Sequence, residues 1–93
     1  MSISFRIPTI LRIYTGGESI VEISTTGGTL AHAIQALESI APGISSRLLD
    51  DSGNLRRFVN VYIDEDDVRF HSGLNSTVTD GQQISIVPAV AGG

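Results

Sequence analysis

Apolar and polar residues alternate at the start of the chain, where Ile3, Phe5 and Ile7 are separated by Ser4 and Arg6. A period of two predicts a strand with one buried face. Pro8 lacks a backbone donor, so this strand ends there or lies at a sheet edge. "YTGGES" reads as a turn, because Gly16 and Gly17 can take positive φ at no steric cost. "SIVEIS" restores strand character and completes an N-terminal hairpin. The period then lengthens. Leu30, Ala33, Ile34, Leu37, Ile40 and Ala41 form one stripe at helical spacing, with Thr29 as the capping hydroxyl and Pro42-Gly43 as the stop. "ISSRLLDDSGNLRR" predicts a single helical turn and a polar loop. "FVNVYI" predicts a strand with Val59, Val61 and Ile63 on one face. "DEDD" predicts a turn, "VRF" a short strand running back, "TDGQQ" another turn, and "ISIVP" a last strand in which Ile84 and Ile86 face alike.

The resulting order is ββαβ(β)β. Strands that flank one helix must hide one sheet face beneath it, and 93 residues leave room for one such pair of layers. Placing the N-terminal hairpin and the last strand in one sheet, with the helix crossing it, gives an α+β fold of β-grasp type: a mixed sheet packed on one main helix.

Composition narrows the chemistry. A chain of this length buries only about 60–65% of its unfolded surface. With no cysteine it has neither disulfides nor cysteine-rich zinc sites. The net charge is −4, without a basic tract and with few aromatic residues, so neither nucleic acid nor an acidic membrane is expected as a partner. The six basic residues are all arginine, so no lysine amine is available to accept an isopeptide bond. The N-terminus has no charged region followed by a long apolar run, and no stretch reaches the roughly 18 apolar residues of a membrane span. These features predict a cytoplasmic protein that is monomeric on its own.

The chain ends "PAVAGG". "FVNVYIDEDDVRFHSGLNSTVTDGQQISIVPAVAGG", with "DG" before the final strand and Gly92-Gly93 at the end, resembles the MoaD/ThiS family of ubiquitin-like sulfur carriers. "IPTILR…TGG" and "ISSRLLD" extend the likeness to the whole chain and to the CysO-type subgroup, which serves cysteine synthesis in actinobacteria. The resemblance implies a domain over residues 1–88 and a flexible tail over 89–93. It implies that an E1-like enzyme uses ATP to adenylate the Gly93 carboxylate, after which sulfur replaces one oxygen to give a thiocarboxylate. The carrier itself would bind no cofactor and would not be an enzyme. Its partners would be the E1-like enzyme and a sulfur-accepting synthase, an O-phosphoserine-dependent cysteine synthase or another sulfur-inserting enzyme. A metalloprotease that releases the product would complete the set.

The residues suit this chemistry. A terminal carboxylate, with a pKa near 3.5, is ionised at neutral pH and needs no helper base to attack a phosphorus atom. Ala89, Val90, Ala91, Gly92 and Gly93 reach at most about 17 Å when extended. The two glycines have no Cβ and fit a narrow passage. With no thiol in the chain, a thiocarboxylate is not lost to intramolecular exchange. If Val59, Val61 and Ile63 face the core, then Phe58, Asn60 and Tyr62 face outward, and so does Val87. Phe58, Tyr62, Val87 and Pro88 are therefore the candidate docking patch, an aromatic cluster among polar neighbours.

Other constellations favour bland readings. His32 lies one residue off the helical stripe and His71 follows a short strand, so both are expected at the surface without a metal. "DEDD" lacks the spacing of a calcium loop. Arg56 and Arg57 either meet acidic groups on a partner or sit in a solvated loop. Nothing fixes a catalytic triad, and without lysine there is no phosphate-binding loop. Two rival functions share the Gly-Gly end: a protein modifier joined through Gly93, and a non-covalent module with an idle tail. Within the carrier reading, the sulfur could go to cysteine, thiamine, molybdopterin or a secondary metabolite.

Overall fold

A computed structural model describes residues 2–24 and 28–88. The alternation at the N-terminus becomes β1 (Ser2–Arg6), with Ile3 and Phe5 buried, and it pairs antiparallel with β2 (Ile20–Ser24) so that Phe5 faces Val21. The expected hairpin forms, but its connection is more than a glycine turn. Thr9–Thr15 wind into a 3₁₀ segment that buries Leu11, and Gly16 ends it in the left-handed region at φ 64°. Pro8 does stop the strand: it stands at the head of this segment, where its carbonyl accepts the amide of Leu11.

A two-residue strand, β3 (Gly28–Thr29), leads into α1 (Leu30–Ile40). The Thr29 hydroxyl accepts the amide of His32, as the capping pattern predicts. Leu30, Ala33, Ile34, Leu37 and Ala41 are buried against the sheet. Ile40, read as part of the same stripe, is 56% exposed instead, because the helix ends there and the chain turns toward α2 (Ser45–Leu48). That turn is held by Glu38, whose two carboxylate oxygens accept the amides of Gly43 (2.8 Å) and Ser45 (2.9 Å).

β4 (Val59–Ile63) buries Val59, Val61 and Ile63, and β7 (Gln83–Pro88) buries Ile84 and Ile86, as their alternation requires. Between them, β5 (Asp66–Asp67) runs back against β4, and β6 (Thr77–Val78) pairs with β3. The returning strand therefore falls within "DEDD", and "VRF" is not a strand. Val68–Phe70 form a 3₁₀ turn, because the Asp67 carboxylate accepts the amide of Arg69 and folds the chain over while Val68 is buried.

The main sheet has the order β2-β1-β7-β4-β5. β1 and β7 are parallel and adjacent, whereas β4 meets β7 antiparallel, with Val59 opposite Pro88 and Ile63 opposite Ile84. Three turn residues set this register. Asp80 accepts the amide of Ser2, and Gly81 donates to the Ser2 carbonyl. Asp64, at φ 54°, accepts the amide of Gln83. One face of the sheet packs on α1 and α2, and the other is open. This is the mixed sheet on one main helix that a β-grasp demands. Residues 89–93, the expected tail, lie outside the described residues.

Candidate functional site

The last strand sits in the middle of the sheet, with β1 on one side and β4 on the other, and it delivers the chain at Pro88. Two grooves meet at that point. One, of about 530 Å³, runs along the open face past Tyr62, Val87 and Arg6 to Asp64. The other, of about 770 Å³, is bounded by Phe58, Arg57, Arg47 and Leu55. Ile10 and Pro88 belong to both.

The four residues of the expected docking patch thus surround one point of the fold. Phe58 is 55% exposed and Val87 43%, while Tyr62 and Pro88 are partly buried. The register explains the common face of Tyr62 and Val87, whereas Phe58 lies in the turn just before β4 and lines the second groove. Asn60 pairs with Val87 and Tyr62 with Ser85, while the alternate residues Val59, Val61, Ile84 and Ile86 fill the core.

Sequence reasoning missed two contributors. Ile10, on the 3₁₀ segment, is 68% exposed and lines both grooves. Its signal was present: an apolar residue just after a strand-ending proline has no strand position to fill and can be left at the surface. The second is Arg69, whose guanidinium reaches from the turn after β5 to the lead-in of β4. Its Nη2 donates to the carbonyls of Arg56 (3.0 Å), Arg57 (3.1 Å) and Val59 (2.7 Å), and its Nη1 donates to Asn60 Oδ1 (2.6 Å). Phe58 is held from both flanks by this clasp. The separation in sequence hid it, because nothing in "VRF" says which carbonyls an arginine will reach.

The other candidates stay apart. His32 and His71 are both exposed, as read from the pattern. Among the described residues, no group of three or more His, Cys, Asp or Glu side chains comes together in a way that could hold a metal ion. Among them too, no helix is long and apolar enough to cross a membrane.

A family model described as the ThiS family matches residues 5–93, the Gly-Gly end included. The chain belongs to the ThiS family. Over 95 aligned positions it is 48% identical to the sulfur carrier protein CysO of Mycobacterium tuberculosis, covering all of both chains. It is 29% identical over 93 positions to the small archaeal modifier protein 3 of Haloferax volcanii, again over the whole of each. In the crystal structure of the Amycolatopsis orientalis BexX/CysO complex, the matching chain superposes with a TM-score of 0.89 at 46% identity, covering 98% of this chain and 99% of that one. The ubiquitin-like β-grasp expected from the residue pattern is therefore the fold of its relatives. In this ThiS-family chain, the two grooves and the clasp surround Pro88, the last described residue before the matched Gly-Gly end.

Proposed function

We propose that the chain is a sulfur carrier of the CysO kind, with Gly93 as the loading point. The full-length 48% identity to a CysO sulfur carrier carries this reading. The fold supports it, because a central strand ends at Pro88, five residues short of Gly93, between two open grooves. The Gly93 carboxylate attacks the α-phosphorus of ATP. An acyl–oxygen–phosphorus bond forms, the bond to the β-phosphate breaks, and pyrophosphate leaves. A sulfur nucleophile at the sulfide level then attacks the acyl carbon and AMP departs, leaving the thiocarboxylate. The catalytic groups and the nucleotide belong to an E1-like enzyme, and the carrier acts as its substrate. Using ATP suits a cytoplasmic setting.

In this reading residues 1–88 are the body and 89–93 the leash. Gly92 and Gly93 keep the passage narrow, and Phe58, Tyr62, Val87 and Pro88 seat the partners. The acceptor is an O-phosphoserine-dependent cysteine synthase, with a metalloprotease to free the product. Intact-mass measurement after incubation with ATP, the E1-like enzyme and sulfide should show one oxygen exchanged for sulfur at Gly93. Gly92→Val should abolish that exchange with an unchanged urea midpoint, since its side chain obstructs a channel rather than the fold. Exchange at wild-type rate in Gly92→Val would overturn the leash.

The likeness to a small archaeal modifier protein favours a second reading, in which Gly93 is joined to amines of other proteins. Conjugate ladders in place of a thiocarboxylate would establish it.

A further inference from the structure

Charge is unevenly placed on this acidic molecule. Five of its six arginines line the two grooves that meet at Pro88: Arg6 and Arg12 in one, Arg47, Arg56 and Arg57 in the other. Two carboxylates share these grooves, Asp64 and Asp50, and both accept backbone amides, Asp64 from Gln83 and Asp50 from Ser52 and Asn54. The hydrogen bonds that these arginine side chains make among the described residues go to neutral oxygens. Arg12 donates to the Ile7 carbonyl, Arg47 to the Tyr14 hydroxyl and Arg56 to the Ser46 carbonyl. Their charge is therefore not cancelled by an internal partner there. Beyond Asp64, at the far end of the first groove, four further acidic residues, Glu65–Asp67 and Asp80, gather where β7 begins.

We propose that the arginines form a cationic collar around the root of the leash, and that this collar docks on carboxylates rimming the mouth of the adenylating enzyme's tail channel. The proposal rests on the carrier reading and deepens it. The cargo end is itself an anion and must approach a nucleotide triphosphate, so it is repelled. Attraction strong enough to orient the encounter has to come from elsewhere on the carrier. A collar at the root of the leash does this and points the tail at the mouth. The acidic end faces away and repels the same rim, which rejects reversed approaches. Exposed charges of this kind act on association rate and fade with salt, since screening reaches about 8 Å at physiological ionic strength.

The test measures kcat/KM for adenylate formation by the E1-like enzyme across ionic strength, using the full chain. Arg6 and Arg57 are exposed, one in each of the two grooves that share Pro88, and Arg6→Glu with Arg57→Glu reverses the charge in both. In low salt the double variant should lose about tenfold or more in kcat/KM through KM, and the gap should close in high salt. Arg57→Lys should retain most of the wild-type rate, because the charge rather than the fork is used. Glu22→Gln, exposed on β2 and outside both grooves, should match wild type. The wild type's own salt slope gives the same information without a substitution. A flat slope, or a double variant with the wild-type slope, overturns the collar while thiocarboxylate still forms. A wild type that never gains sulfur overturns the carrier reading and the collar with it. Salt-dependent head-to-tail association of the carrier in light scattering, collar to acidic end, would assign the collar to a second copy instead and overturn the proposal.

Discussion

Glu38 shows how one side chain can decide the course of a loop. The amide of Gly43, together with the amide and hydroxyl of Ser45, holds its carboxyl below the ordinary value of 4.5. A group whose folded pKa is depressed stabilises the fold above its unfolded value and loses that contribution as pH falls through the folded one. Glu38→Gln keeps one acceptor oxygen and loses the other, so one of the two amides goes unmatched. Urea midpoints should be lower for the variant at neutral pH, with the difference shrinking on acidification below 4.5. A constant gap across that range would show that charge is not what matters. None of this was legible in "ALESIAPG", which announces where a helix stops but not which side chain receives the next amides. Phe5 makes the complementary point: the alternation along β1 does place it, and it is fully buried.

At the scale of elements, the clasp made by Arg69 ties the turn after β5 to the segment entering β4. One guanidinium nitrogen shares two hydrogens among three carbonyls, a geometry that an ammonium on a flexible stem does not reproduce. Arg69→Ala should cost about 1–2 kcal/mol, since the side chain is exposed but its bonds are charge-assisted. Hydrogen exchange should rise from Arg56 to Asn60, and Arg69→Lys should restore only part of the loss. Equal stability of the three proteins would refute the clasp. Strands and helix were readable because each carries a period: two in β1, β4 and β7, and 3.6 in α1. The short pieces were not. Two residues are too few for a period, so β3 and β6 exist only because their chains are brought together. "VRF" was misread because its apolar residues suggested a strand, while a local bond from Asp67 had already turned the backbone.

For the molecule as a whole, the described residues form one core layer between the sheet and its helices, and among them no second core makes up a loss. Phe5 stands in β1 between Val21 of β2 and Ile84 of β7 and is completely buried. Phe5→Ala should cost about 3–5 kcal/mol, a large part of the roughly 5–15 kcal/mol available to a domain of this kind. Chemical denaturation should place the variant close to unfolding at 37 °C, whereas Phe58→Ala should keep its midpoint and lose affinity for partners. The site was legible only in outline: alternation along β4 and β7 puts Tyr62 and Val87 on one face, but Phe58 sits in the turn before β4 and lines the other groove. Its charge was not, since Arg12 and Arg47 reach the two grooves only after the 3₁₀ segment and α2 have folded.

The position of β7 between two neighbours also has a mechanical result. Its residues are bonded to β1 over Gln83–Ser85 and to β4 over Ile84–Pro88. A partner that draws on the chain beyond Pro88 pulls along the strand, so both ladders share the load in shear instead of peeling apart one bond at a time. If the proposed carrier role holds, such a body withstands repeated pulls from a partner and still keeps its shape.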